Sequence, residues 1–335
     1  MKILLTGGAG FIGSHTVVEL INNGYEPIII DDFRNSKPFI IKNIEKIVGQ
    51  KLTLHTIDFG NHKKLKAIFK VDKPVGVIHF AADKAVNESV KNPLKYYQNN
   101  ISNLINLLKV INESDINSFV FSSSCTVYGN PKNVPVNEES DIQPAFSPYG
   151  YTKQVGEKIL ADFFVNKPQI NLTVLRYFNP IGAHPSGLIG ELPLGVPSNL
   201  VPFITQSAIG KIGPLIIHGN DYPTADGTCI RDYIHVVDLA SAHVLSLKNL
   251  TSQAKFYNVG LGKGSSVLEV VNTFEKVNKL KLNFNIGRRR KGDIPEIYAD
   301  NSLIKKDLGW TPIYNLEECL QHAWKWQQNL STFKY

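Results

Sequence analysis

Short apolar runs recur through the first half of the chain, each about as long as a strand. Lys2–Thr6, Pro27–Asp31, Leu52–Ile57, Val75–Phe80, Phe119–Ser123 and Leu172–Tyr177 read as strands. Between them the apolar residues take up helical spacing, most clearly over Ser102–Asn112 and Thr152–Phe164. Strands alternating with helices predict a parallel sheet covered on both faces. The unbroken apolar run Val75-Gly76-Val77-Ile78 suits a strand with no wet side.

The texture changes after Asn179. Residues 180–230 are rich in glycine and proline and read as a loop-rich lobe. Ile234–Leu247 and Phe256–Val259 read as a helix and a strand returning to the first unit. We therefore expect one domain over 1–179, rejoined by about 231–260. A smaller substrate lobe is expected from 180–230 and 261–335. A length of 335 residues suits that division.

Composition narrows the class. A 43% hydrophobic and 19% charged content is ordinary for a globular protein. No apolar stretch approaches the roughly 20 residues of a membrane span, and the immediate start of a strand leaves no room for a signal peptide. Membrane partners are not expected. Cys125, Cys229 and Cys319 are odd in number and far apart, which predicts free thiols and a cytoplasmic setting. No Cys/His cluster has metal-ligand spacing, so no metal is expected. A net charge of +7 suits nucleic acid or a diphosphate ligand equally. The Arg288–Lys291 run lacks the interleaved aromatics of a nucleic-acid surface, so no nucleic-acid partner is expected.

Gly7, Gly10 and Gly13 follow the first strand and open a helix that stops at Asn22-Asn23-Gly24. Glycines there let the backbone approach a pyrophosphate, and the helix N-terminus supplies free N–H groups. The x-x spacing between Gly7 and Gly10 departs slightly from the common dinucleotide fingerprint, and an ordinary strand–helix turn has the same pattern. Asp31 strengthens the dinucleotide reading. It ends the second strand, where a carboxylate accepts from ribose hydroxyls. With Asp32 beside it, a 2′-phosphate is repelled, so NAD is expected over NADP. Asp58 closes the third expected strand, as an adenine ligand or a plain helix N-cap.

Tyr149 and Lys153 are one helical turn apart after Pro148 and share a face. A free phenol has a pKa near 10. A neighbouring ammonium and a nicotinamide cation are expected to lower it toward the working range of a base. The preceding strand ends in Ser122-Ser123-Ser124, a source of hydroxyls for a reacting oxygen. No Gly-x-Ser-x-Gly turn surrounds Ser124, so an acyl-enzyme nucleophile is not indicated.

Longer motifs surround these residues. They include Thr6–His15, His79-Phe80-Ala81-Ala82, Val127-Tyr128-Gly129, Ser147–Lys153, Leu175–His184, Gly219–Thr224, Asp226–Val236, Arg289–Asp293 and Leu308-Gly309-Trp310. With them the chain resembles the extended short-chain dehydrogenase/reductase family, in its UDP-glucose 4-epimerase branch, nearly end to end. The resemblance implies a Rossmann-type doubly wound sheet, tightly bound NAD, a UDP-hexose substrate and a homodimer. It implies that Gly7, Gly10, Phe11, Ile12, Gly13, Asp31 to Ser36 (with Asp32, Phe33 and Asn35), Asp58, Phe59, Phe80 to Lys84 (with Ala81 and Ala82), Asn99, Ser122 and Phe178 hold NAD. It makes Ser124, Tyr149 and Lys153 the catalytic set. Asn179, Asn199, Leu200, Ile216, Ile217, His218, Arg231, Arg290, Asp293 and Ile297 then hold the UDP-sugar, with Lys84, Ser124 and Tyr149. Arginine suits the diphosphate because its guanidinium meets phosphate oxygens in pairs.

The implied reaction is reversible C4 epimerisation of UDP-glucose and UDP-galactose through a 4-keto sugar. Two positions depart from the pattern: Cys125 stands where alanine is usual, and Ile297 where residue size sets the sugar pocket. The second leaves UDP-N-acetylhexosamine, or both sugar classes, as the alternative substrate. A 4,6-dehydratase needs an Asp-Glu pair where this chain has Cys125-Thr126. A non-catalytic NAD-sensing regulator has no use for Tyr149, Lys153 or the distant arginines.

Overall fold

A computed structural model describes residues 1–248, 254–290 and 292–333. Its main sheet comprises β1 (Lys2–Thr6), β2 (Glu26–Asp31), β3 (Thr53–Thr56), β4 (Gly76–His79), β5 (Ser118–Ser124), β6 (Asn171–Tyr177) and, much later in the chain, a strand at Lys255–Val259. A further sheet joins β7 (Asn179–Ile181), β9 (Ile230–His235), β11 (Gly264–Ser266) and β13 (Glu296–Ile297), while β8 (Leu215–His218) pairs with β12 (Phe284–Gly287). The late strand of the main sheet is thus β10. The helices are α1 (Phe11–Asn22), α2 (Phe39–Val48), α3 (His62–Asp72), α4 (Val86–Lys91), α5 (Pro93–Tyr97), α6 (Asn103–Asn112), α7 (Pro148–Phe164), α8 (Leu200–Ala208), α9 (Val236–Ser246), α10 (Val267–Asn278), α11 (Ser302–Leu308) and α12 (Leu316–Leu330).

The main sheet is parallel throughout, in the order β10-β6-β5-β4-β1-β2-β3. This is the parallel sheet expected from the alternation of strands and helices, in the doubly wound Rossmann-type order that the resemblance implies. Strands β4, β5 and β6 are buried at every residue, because helices cover both faces. One apolar core packs α1, α2 and α9 on one face, with Val17, Ile40 and Leu239 among its members. The other packs α3, α6 and α7, with Leu65, Leu107 and Leu160. In α6 the buried Leu104, Leu107, Leu108 and Ile111 form one stripe. The chain order reverses between β1 and β4, and ligands of open α/β sheets bind at such a crossing.

The expected return of the chain is more divided than its pattern suggested. Residues Ile230–His235 form β9 in the second sheet, whereas α9 packs on α1 and β10 pairs with β6. Ile234 and His235 therefore precede the helix rather than begin it.

Candidate active site

Gly7 leaves β1 with φ +74°, which glycine adopts without penalty. A Cβ there would stand 2.9 Å from the Ala81 nitrogen, and one at Gly13 would stand 2.3 Å from the Gly7 carbonyl oxygen. The loop therefore lies flat against the start of α1. Gly10 is the N-cap and places no side chain over the free N–H groups. A diphosphate fits that cradle.

The Asp31 carboxylate organises the next wall. It accepts from the backbone N–H of Ala9 (3.0 Å) and Phe33 (2.9 Å) and from the Ser36 hydroxyl (2.9 Å). Burial raises its pKa while these bonds oppose the rise. The cleft is lined by Gly7, Gly10, Phe11, Ile12 and Gly13, by Asp31, Asp32, Asn35 and Ser36, and by Phe59, Phe80, Ala81, Ala82, Lys84, Asn99 and Ser122. Ile30 and Ile57 line it too; nothing in the sequence separates these from other strand-end isoleucines.

Phe33, Asp58, Tyr149, Lys153 and Phe178 lie outside this wall. Phe33 takes φ +59° and packs against the core. Asp58 falls beyond β3, which ends at Thr56, and it does not cap α3. Asn61 is the cap, its side chain accepting from Lys64 N. Asp58 is instead held by Arg34. The Arg34 guanidinium donates to Asp32 (2.5 Å), Asn99 (3.1 Å) and Asp58 (2.7 Å). One guanidinium is thus shared by two carboxylates, and the cluster keeps a negative charge beside that of Asp31.

The loop after β4 is pinned from behind. Asn100 accepts from Asp83 N (2.9 Å), donates to the Asp83 carbonyl (3.0 Å) and donates to Thr152 (3.1 Å). Asn99 and Asn100 sit on a π-helical turn over Gln98–Ser102. Such turns recur where a helix must aim side chains at a site.

Tyr149 and Lys153 arrive on α7. Its start is set by Ser147, whose hydroxyl accepts from Gly150 N (3.1 Å), and by Pro148 in the first turn. Gly156 lets the helix press against β5, since a Cβ there would stand 3.0 Å from Phe121. Lys153, 5% exposed, donates to the Ser122 carbonyl at 2.6 Å. Its ammonium stands 5.9 Å from the centre of the Tyr149 ring. Ser124 ends β5 and its hydroxyl caps the following turn.

The protonation balance differs from the sequence expectation. Burial pushes the Tyr149 phenol up to about 12, against a smaller downward pull from Ser124. Burial pushes Lys153 down to about 8, opposed by the Glu157 carboxylate. Spacing placed the two side chains one turn apart, but the ammonium is spent on the Ser122 carbonyl and lies by the ring. The protein alone does not favour phenolate.

The residues expected to hold a sugar nucleotide come from dispersed segments. Asn179 begins β7, and its side-chain oxygen is buried without a hydrogen-bond partner. Arg231 lies on β9, where its backbone pairs with Ile297 on β13. Its charge acts on Cys125, next to Ser124, and both Arg231 and Arg290 act on Tyr233. Arg290 donates to Asp293 (3.0 Å); Lys291 of the same motif lies outside the described residues. Asn199 and Leu200 form the start of α8. On β8, Ile216 is exposed but Ile217 turns into the lobe core, leaving only its backbone for a ligand. His218 bonds the Arg288 carbonyl (3.2 Å). Ile297 is buried with Val127, Tyr128, Phe178 and Ala299. Among the described residues no group of three or more His, Cys, Asp or Glu is placed to hold a metal.

Comparison with known proteins accounts for this arrangement. The chain is 48% identical to the UDP-glucose 4-epimerase of Dictyostelium discoideum over 329 residues, 97% of this chain and 95% of that one. It belongs to the UDP-glucose 4-epimerase family. A broader family model, described as GDP-mannose 4,6 dehydratase, matches residues 4–323. The solved epimerase of Stenotrophomonas maltophila, with bound NAD and formylated UDP-arabinopyranose, superposes with a TM-score of 0.97 at 44% identity over 99% of each chain. That of Bifidobacterium longum, with NAD+ and UDP, gives 0.96 at 41% identity over 99% of this chain and 100% of that one. This epimerase's glycine cradle and Asp31 wall fit the NAD on which the family depends.

Proposed function

We propose that this protein interconverts UDP-glucose and UDP-galactose by inverting C4 of the hexose, with NAD retained throughout. The observation that carries this is the convergence of Ser124, Tyr149 and Lys153 at the end of β5 and the start of α7, beside the cleft at the β1–β4 crossing. NAD, when bound, supplies a hydride acceptor and a positive ring.

The chain's own residues do the rest. Ser124 would orient the 4-hydroxyl and Tyr149 would take its proton, so that with NAD as hydride acceptor the sugar becomes a 4-keto sugar. Lys153, tied to the Ser122 carbonyl, holds its ammonium 5.9 Å from the centre of the Tyr149 ring. The positive ring of NAD, when bound, would favour the Tyr149 phenolate and so tie proton removal to a loaded cleft. Tyr149 would return the proton to the sugar oxygen once the turned-over keto sugar is reduced on its opposite face. Arg231, Arg290 and Asp293 anchor the nucleotide, so binding energy far from C4 retains the intermediate. The unpartnered Asn179 oxygen gains a donor from the ligand. Ile297 bounds the hexose pocket.

Residues 1–179, with α9 and β10, hold the cofactor in this reading, and 180–235 with 261–335 hold the sugar nucleotide. Val86, Val90 and Leu94 are exposed on α4 and α5, which pack against α7, and we assign that surface to a homodimer. A cytoplasmic location is supported by three free cysteines. No helix among the described residues is long and apolar enough to cross a membrane.

The test is to incubate the purified protein with UDP-galactose, adding no cofactor. UDP-glucose should form. NAD-loaded protein that leaves UDP-galactose unchanged would sink the assignment. Running UDP-N-acetylgalactosamine in parallel decides the sugar class.

A further inference from the structure

Glu191 belongs to none of the roles above, yet it sits where the two halves of the site meet. One carboxylate oxygen, Oε1, accepts from the Lys84 ammonium at 3.1 Å and from the Asn199 amide at 2.9 Å. Lys84 comes from the loop after β4, which lines the cofactor cleft; Asn199 comes from the start of α8. The Glu191 side chain is 11% exposed.

Its placement is built in. The Trp326 indole N–H donates to the Glu191 carbonyl at 2.9 Å. The preceding Gly190 lies on the same indole, where a Cβ would stand 2.5 Å from the ring. The backbone is therefore seated on α12, and the carboxylate projects into a second cavity lined by Gly10, Phe11, Lys84, Pro197 and Asn199.

Asn199 carries the second half of the argument. Asparagine at an N-cap ordinarily accepts from the first turn of its helix. Here it makes no such bond: Pro202 in the first turn has no N–H to offer, and the Asn199 amide donates to Glu191 instead. The first N–H groups of α8 are left without a side-chain partner, a polarity that suits phosphate oxygens. A carboxylate beside those groups and beside Lys84 occupies the charge that an anionic ligand needs.

We propose that Glu191 is a place-holder for the ligand's diphosphate. It acts as the internal counter-ion of Lys84, and the phosphates of the sugar nucleotide displace it, freeing Lys84 and Asn199 together. This rests on the substrate reading above. It deepens that reading by naming a residue that opposes binding in the empty site and ties the two halves together until substrate arrives. Glu191 acts through Lys84 and Asn199, so it is a positioning residue. No bond is made or broken.

The experiment measures UDP and uridine binding by calorimetry on the NAD-loaded protein. Glu191→Gln keeps the shape and an acceptor for Asn199 but removes the charge. UDP should bind about threefold to fivefold more tightly, the scale of a part-exposed ion pair, and uridine should be unaffected. Adding Lys84→Met should abolish the gain. The melting temperature of Glu191→Gln checks that the seat on Trp326 survives. Weaker or unchanged UDP binding overturns the proposal. So does equal tightening of uridine, which marks a structural effect, or altered NAD retention with UDP binding unmoved, which assigns Glu191 to the cofactor's diphosphate. Wild-type protein that binds no UDP overturns the substrate reading first, a result distinguishable from all of these.

Discussion

The cofactor cleft takes its wall from Gly7–Gly13, from the end of β2 and from the loop after β4, segments that follow strands lying side by side. The substrate side takes Asn179, Asn199, Arg231, Arg290 and Asp293 from four segments: the strands β7 and β9, the start of α8 and the loop before β13. Close backbone contact sets the shape of the first, as at Gly13, where no side chain has room. Side chains set the shape of the second: Arg290 is paired with Asp293, and Arg231 donates to the Ile230 carbonyl. A cofactor that never leaves suits the first construction, and a sugar that must turn over suits the second.

The largest expected effect falls where the two regions meet. Tyr149→Phe should lower kcat by about 10²–10⁴-fold, the range for loss of a positioned acid–base group, while NAD content and UDP affinity stay near wild type. Loss of binding along with turnover would mean that the phenol holds the two regions together rather than doing chemistry between them.

Gly13→Val tests whether the cleft is as rigid as its contacts imply. Overpacking of this kind costs about 1–3 kcal/mol. Protein purified from this variant should carry far less NAD, by absorbance after denaturation. UDP binding should persist, because none of its proposed ligands lies on α1. Retained NAD would break the contrast.

A third measurement asks how charge crosses between the regions. With Tyr149 at about 12 in the protein alone, phenolate absorbance from this residue should be absent at pH 9 and grow only as pH approaches 12. Loading NAD should move that midpoint down by more than about one unit, worth about 1.4 kcal/mol. An unmoved midpoint would return the burden to Lys153.

The smallest effect is expected at Ile297. Replacing it with glycine should raise activity toward UDP-N-acetylgalactosamine relative to UDP-galactose, with UDP affinity little changed. An unchanged ratio would place the limit on sugar size elsewhere in the cluster with Phe178 and Tyr128.

What the sequence made legible follows the same division. The glycine loop, Asp31 and the α7 pair are local patterns, and each lies within a turn or two of the element that aims it. Ile217 shows the opposite case: only pairing with β12 and packing in the lobe turn it inward while Ile216 stays out. Arg34 fell inside a stretch assigned to the cofactor, but its bonds to Asn99 and Asp58 depend on elements that meet only in the fold. The Tyr149–Lys153 spacing was readable, and the bond that ties the ammonium to the Ser122 carbonyl was not, because it depends on where β5 meets α7. Glu191 carried no motif of its own.

Arg34 gives the cleft a property that rigid packing alone would not. One of its bonds stays with Asp32 in the loop after β2 and two cross, to the loop after β3 and to the turn before α6, yet the side chain is 42% exposed. Charge pairs open to solvent weaken as counter-ions gather, over a screening length of about 8 Å at physiological ionic strength. The lifetime of the bound cofactor therefore carries a dependence on salt. A protein that keeps its NAD through dilute buffer should leak it faster in concentrated salt, long before the sheet itself gives way.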